Sequence, residues 1–144
     1  MTKAPRLDRQ LCFALYSASK TATAVYRPVL EELGLTYPQY LVMMVLWESE
    51  PRSVRELGHE LGLDSGTLSP LLKRLESLGL VERRRSVLDE RRVDVSLTDD
   101  GRDLSAKATG IPRHLADAAG LSNAELEQLR GTLDRLTAAL QRHL

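Results

Sequence analysis

The sequence predicts a mainly helical protein in which two short helices and a β-hairpin sit between long helices at both ends. Three observations carry that expectation. Apolar residues recur at steps of three and four from Leu7 to Leu33 and again from Leu126 to Leu140. A glycine turn at Gly62 separates two short amphipathic stretches. Residues Val93 to Leu97 alternate apolar and polar with a period of two, the pattern of a half-buried strand.

Each element has its own local reason. Leu7, Leu11, Leu15, Ala18, Ala22, Val25, Val29 and Leu33 form one stripe, which predicts a helix over 7–33 with Pro28 near its end and Gly34 as its stop. Thr36-Tyr-Pro-Gln39 reads as a capping box opening an apolar helix, Tyr40 to Trp47, that Pro51 brings to a close. Trp47, Met43 and Met44 are expected in the core. Ser53 and Glu56 form a second box, for a short helix carrying Val54, Leu57 and Leu61. After Gly62, Leu63 is expected to plug the core. Asp64 is placed to cap a helix from Ser65 to Leu78 that buries Leu68, Leu71, Leu72, Leu75 and Leu78.

Two strands, 80–85 and 92–97, then flank a polar loop. Thr98-Asp-Asp starts a helix over 99–118, with acids in its first turn to complement the helix dipole and a break expected at Gly110 and Pro112. Ser122 and Glu125 form a third box, before the seam of Leu126, Leu129, Leu133, Leu136 and Leu140. A hairpin directly after a helix-turn-helix is a winged helix-turn-helix, here over 38–97. The helices over 7–33 and 99–143 are long relative to that module, and their apolar seams need a partner surface. An intertwined homodimer is the arrangement expected, with the chain as one domain over 1–144.

Composition narrows the function classes. The chain has 144 residues and is formally neutral, with 20 Lys+Arg against 20 Asp+Glu. The charge is uneven, however: residues 52–92 hold nine basic and seven acidic side chains, and residues 93–144 hold six and eight. An anionic partner therefore has its natural place in the middle of the chain. No apolar run is long enough for a membrane span, and MTKAPRLDRQ lacks the apolar core of a signal peptide, so a cytoplasmic location and no membrane partner are expected. One cysteine, Cys12, excludes an intramolecular disulfide. His59, His114 and His143 are too scattered to suggest a metal site, and no cofactor is expected.

The chemistry sits in two places. The helix from Ser65 presents Ser65, Gly66, Thr67, Ser69, Pro70, Lys73 and Arg74 on its polar side. Short hydroxyls at its start suit base edges and phosphates, and cations further along suit phosphates or guanine. The hairpin adds Arg84 and the loop Asp89-Glu-Arg91-Arg92. Arg91 suits a narrow minor groove, and Asp89 is expected to orient a neighbouring guanidinium. Together these point to double-stranded DNA. A solvated helix face and a hairpin tip kept soluble by charge are the plainer readings of the same residues.

The run from Leu57 to Gly101, with DSGTLSPLLKRLESLGLVERRR, DERR and SLTDDG, resembles the winged-helix core of the MarR family of bacterial repressors. The segments LDRQLCFALYSASK and YRPVLEELGLTYPQYLVMMVLWE are similar to one branch, the organic-hydroperoxide-sensing repressors (OhrR), so the resemblance covers nearly the whole chain. It implies that Cys12 is a peroxide-sensing cysteine, that Tyr26 and Tyr37 hydrogen-bond its sulfur from the partner subunit, and that Arg91 is the wing arginine. The chain departs from some members in having no second, resolving cysteine.

The resemblance therefore implies a dimeric repressor that leaves a pseudo-palindromic operator when an organic hydroperoxide oxidises Cys12, with a low-molecular-weight thiol completing the mixed disulfide. The chemistry of the residue agrees: peroxide is attacked by thiolate, so the sulfur needs donors nearby, and Phe13 and Tyr16 offer an apolar lining. A lone helical cysteine is otherwise a small buried hydrophobe. Two alternatives stand beside this reading. One is a repressor released by a small aromatic ligand in the dimer cleft, with Cys12 structural. The other is a thiol peroxidase, for which the sequence offers no resolving cysteine and no Cys/His/Asp grouping.

Overall fold

A computed structural model describes residues 2–144. The order is a 3-10 turn (Leu7–Arg9), α1 (Leu11–Glu31), α2 (Tyr37–Glu48), β1 (Arg52–Ser53), α3 (Val54–Leu61), α4 (Ser65–Ser77), β2 (Val81–Arg85), β3 (Val93–Leu97), α5 (Asp99–Ala108), α6 (Ile111–Ala119) and α7 (Asn123–Gln141). The chain divides into two compact units, the first ending at Thr109 and the second spanning Gly110–Leu144. No helix among the described residues is long and apolar enough to cross a membrane.

The predicted helix-turn-helix and hairpin are both present, and three capping boxes start α2, α3 and α7. In each, the Thr36, Ser53 or Ser122 hydroxyl accepts from the backbone three residues on, and the Gln39, Glu56 or Glu125 side chain accepts from the cap's own N–H. The stop at Gly34 forms with φ +73°, as Leu35 N donates to Leu30 O at 3.0 Å and Gly34 N to Glu31 O at 3.0 Å.

Several boundaries differ from the expectation. The first helix does not begin at Leu7: Gln10 is extended, its side chain donates to Arg6 O, and α1 starts at Leu11. Leu68, Leu72 and Leu75 are buried on α4, but Leu71 is half-buried and Leu78 half exposed, because those two lie at the edge of the stripe. Leu63 is half-buried and lines a surface cleft. Met43 is fully buried, whereas Met44 and Trp47 are partly exposed.

The hairpin gains a third strand. β1 pairs antiparallel with β3, Arg52 opposite Val95 and Ser53 opposite Asp94, so the order is β1-β3-β2. Val81, Val95 and Leu97 point into the core beside Leu57, Leu68, Leu72 and Leu75. In the second unit α6 is separated from α5 at Thr109–Gly110, where the expected break falls. None of the described residues of α7 is fully buried; Leu129 is 47% and Leu140 54% exposed. A 19-residue helix with an uncovered leucine seam has an unmet packing requirement.

One junction ties the elements of the first unit together. Thr98 N donates to Leu80 O at 3.0 Å, and the Thr98 hydroxyl donates to Gly79 O at 2.6 Å while accepting from Gly101 N at 3.1 Å. Trp47 Nε1 donates to Gly101 O at 2.8 Å. A Cβ on Gly101 would lie 2.1 Å from Leu80 O, so the helix start passes against backbone that no side chain can share. Gly101→Ala is expected to lower the urea midpoint by a loss at or above the usual overpacking range of about 1–3 kcal/mol. Gly131→Ala, which meets nothing within 4 Å, serves as the contrast and should leave the midpoint equal or slightly higher.

Candidate nucleic-acid interface and sulfur site

α4 exists because Asp64 caps it: its carboxylate accepts from Thr67 N at 2.7 Å, and that bond holds the Asp64 carboxyl below its ordinary range. Burial of Leu68, Leu72 and Leu75 turns the opposite face outward, and Ser65, Gly66, Thr67, Ser69, Pro70, Lys73 and Arg74 are all exposed. Among the described residues Lys73 and Arg74 have no acidic partner within ion-pair distance, so their charge is available to an incoming anion. Arg84, also exposed, is paired with Glu82 at 3.2 Å.

The wing is docked on α4 through one side chain. Glu76 accepts from Arg83 N at 3.1 Å and from the Arg83 guanidinium at 3.2 Å. The guanidinium bond, followed by the backbone one, holds the Glu76 carboxyl below its ordinary range. This partly neutralises the basic run counted in the sequence. Arg83 Nε is nonetheless buried with no hydrogen-bond partner among the described residues.

Between α3, the start of α4 and the wing lies an open cleft of about 880 Å³. Its walls carry Ser65 and Ser69 from α4, Arg55 and His59 from α3, and Arg83, Asp89, Arg91 and Arg92 from the wing. Two of its four guanidinium groups, Arg83 and Arg92, are paired with carboxylates, which leaves Arg55 and Arg91, unpaired among the described residues, to give the cleft its positive charge. From the sequence His59 reads first as a surface residue, with phosphate contact as the lesser reading, and Arg55 carries no signal of its own, although their i,i+4 spacing sets them on one face of α3.

The role expected of Asp89 is corrected. Among the described residues it pairs with no guanidinium; Asp89 Oδ1 accepts from the backbone N–H of Arg91 at 3.0 Å, a turn-closing bond, and the Arg91 side chain has no partner among those residues. Arg85 donates to Glu90 O at 2.7 Å and Arg92 pairs with Asp94 and Glu56, so these two cations hold the shape of the wing.

The second site is split along α1. Cys12 lies in the first turn of α1 and is exposed, next to exposed Leu11, Phe13 and Tyr16. Tyr26 lies on the same helix fourteen residues later, which at 1.5 Å per residue is about 21 Å away. Tyr26 stacks on Tyr37 with ring centroids 5.2 Å apart, and Tyr40 lies 6.2 Å from Tyr26. Burial, reinforced by the neighbouring phenols, raises Tyr26 and Tyr40 above their ordinary values, so both remain protonated donors at neutral pH. One chain cannot bring these hydroxyls to its own Cys12.

No three His, Cys, Asp or Glu side chains gather into a possible metal site among the described residues.

The Glu76 clasp has a pH signature. A carboxyl lowered in the folded state contributes stability that is fully present above its unfolded value and lost as pH falls through its folded value. Wild type and Glu76→Gln should therefore differ in urea midpoint at neutral pH and converge as the pH is taken below the ordinary carboxylate range.

Comparison with known proteins gives these surfaces a context. Residues 24–108 match the family model described as Transcriptional regulator SarA/Rot. The organic hydroperoxide resistance transcriptional regulator of Bacillus subtilis is 47% identical over 94% of this chain and 92% of its own. Among solved structures, reduced AbfR bound to DNA, a Staphylococcus epidermidis protein, has a TM-score of 0.80 at 34% identity, covering 95% of this chain and 94% of that one. Disulfide-formed AbfR has a TM-score of 0.66 at 38% identity, covering 92% and 93%. With its winged fold and the extent of these matches, the chain belongs to the SarA/Rot/MarR-type family of winged-helix transcriptional regulators.

Proposed function

We propose that this protein is a homodimeric repressor that binds double-stranded DNA through α4 and the wing and leaves it when an organic hydroperoxide oxidises Cys12. The observation that carries the sensing part is the separation along α1. An exposed thiol at one end and protonated tyrosines at the other make a complete site only if a second chain runs antiparallel to the first. The uncovered leucines of α7 support the same assembly. The similarity to a regulator named for organic hydroperoxide resistance, and to a protein solved both reduced on DNA and in a disulfide form, supports the redox reading.

In the first step the Cys12 thiolate attacks the distal peroxide oxygen. A sulfur–oxygen bond forms, the oxygen–oxygen bond breaks, and the alkoxide takes a proton to leave as an alcohol. Phenolic donors from the partner chain stabilise the thiolate. The sulfenic acid then condenses with a low-molecular-weight thiol, releasing water, because no second cysteine is present in the chain. The added group widens a packed interface, which changes the spacing of two α4 helices that must meet half-sites about 34–36 Å apart.

On DNA, α4 enters the major groove with Ser65, Gly66, Thr67, Ser69 and Pro70 toward the bases. Lys73, Arg74 and Arg84 meet phosphates, and Arg91 reaches the minor groove from a turn held by Asp89. Arg91→Ala should weaken operator binding by about 1–3 kcal/mol with the thermal melt unchanged. Lys73→Ala or Arg74→Ala should weaken binding to all sequences alike and reduce the slope of log affinity against log salt by about one.

Operator release by cumene hydroperoxide, followed by fluorescence anisotropy, tests the sensing mechanism. Wild type should be released, Tyr26→Phe and Tyr37→Phe should respond more slowly with their reduced-state binding intact, and Cys12→Ser should bind and not respond. Equal release of Cys12→Ser would assign Cys12 to a structural role. A release by small aromatic ligands alone would then favour the cleft-ligand alternative.

A further inference from the structure

The loop joining β2 to β3 combines a tightly tied backbone with two aliphatic side chains that touch almost nothing. Val87 is 100% exposed and Leu88 98%. The turn beneath them is held by Ser86, whose hydroxyl accepts from Leu88 N at 3.3 Å and Asp89 N at 3.4 Å, and by Arg92 N donating to Asp89 O at 2.9 Å. Ser86 N donates to Arg92 O at 2.7 Å, and Arg85 reaches across to Glu90 O. A tip that serves only to close a hairpin is ordinarily built of polar residues, since exposed adjacent aliphatics order water with no return. Here the hydrogen bonds fix the loop in a form that thrusts the aliphatic pair outward beside Arg91.

Resting on the DNA reading above, the geometry points to Val87 and Leu88 as an apolar contact with the minor groove of the same duplex that α4 engages. The walls of that groove are deoxyribose C–H surfaces, and apolar side chains of this size are used by minor-groove proteins against sugars and between base steps. Continuity carries the assignment to DNA. The pair lies three and four residues from Arg91, in the loop that forms one wall of the basic cleft whose other wall is the start of α4. A bilayer is the poorer fit, because two side chains are a small anchor and Asp89 and Glu90 follow them directly. Arg91 then supplies charge at the groove and the pair supplies shape, so the two contributions separate in their response to salt. Aliphatic contacts release no counterions, whereas an arginine does.

The test uses full-length dimer and a duplex that wild type recovers from a randomised pool, with affinity measured over a range of salt. Val87→Ser/Leu88→Ser should bind about tenfold more weakly, about 1.4 kcal/mol, at every salt concentration. Its plot of log affinity against log salt should run parallel to that of wild type, and its thermal melt should be unchanged, since neither side chain is packed. Leu88→Met, which keeps an apolar tip, should remain close to wild type. Equal affinity of the double variant overturns the proposal, as does a loss accompanied by a reduced salt slope, which would assign the effect to the neighbouring charges. Binding of wild type to phosphatidylcholine/phosphatidylserine vesicles that is lost in the variant, with DNA affinity unchanged, overturns it in favour of a bilayer. Failure of wild type to recover any duplex overturns the DNA reading itself, and this contact with it; that result is distinct from a wild type that binds and a variant that binds equally.

Discussion

The start of α5 against the turn between α4 and β2 is the constraint on which the first unit depends. Gly101 passes so close to Leu80 O that no Cβ fits, and Thr98 bonds both Leu80 O and Gly79 O. This sets where β2 leaves α4 and therefore where the wing stands relative to the helix beside it. Glu76 repeats the constraint from the other side by gripping both the backbone and the guanidinium of Arg83. Glu50 adds a third tie, accepting from Leu97 N at 3.0 Å and from Arg102 at 3.0 Å. The helix face and the wing thus form one surface of fixed shape. Trp47 joins that junction to the tyrosines: its indole bonds Gly101 O, and its ring lies 6.3 Å from Tyr40, edge-on. The nucleic-acid surface and the tyrosine half of the sulfur site are parts of one packed body.

The other constraint is the rigidity of α1. A continuous helix from Leu11 to Glu31 cannot fold back on itself, so its cysteine and its tyrosine serve a common site only through a second copy. Under the proposed reading this makes dimerisation a condition of sensing as well as of reading two half-sites. Exposed Leu11, Phe13 and Tyr16 then gain cover at the same place where the sulfur gains its donors.

What was legible in the sequence was local. Capping boxes at Thr36, Ser53 and Ser122 join side chains three residues apart, so each can be read from a short window, and each forms as expected. The period-two alternation of Val93–Leu97 gave the wing, and Gly110 the break between α5 and α6. What was not legible depends on distance along the chain. β1 is a two-residue strand that exists only because β3 pairs with it more than forty positions later. The approach of Gly101 to Leu80 and the grip of Glu76 on Arg83 are tertiary, and no spacing announces them. Asp89 was misread for a different reason: an aspartate in a tight loop meets its neighbour's N–H before it meets a guanidinium. The exposed face of α4 was predictable from the burial of its leucines, whereas the cleft beside it, with Arg55 and His59, needed three elements in place.

Mixed dimers test most directly whether the sulfur site is assembled across two chains. In one, a Cys12→Ser chain is paired with a Tyr26→Phe/Tyr37→Phe chain; in the other, all three substitutions lie in one chain and its partner is wild type. A site shared between chains leaves one complete cysteine–tyrosine set in the first dimer and none in the second. The account therefore predicts that organic hydroperoxide releases the first from DNA near the wild-type rate and the second slowly. The opposite pattern, a slow first dimer and a fast second one, would place cysteine and tyrosines of one chain in one site and contradict the account.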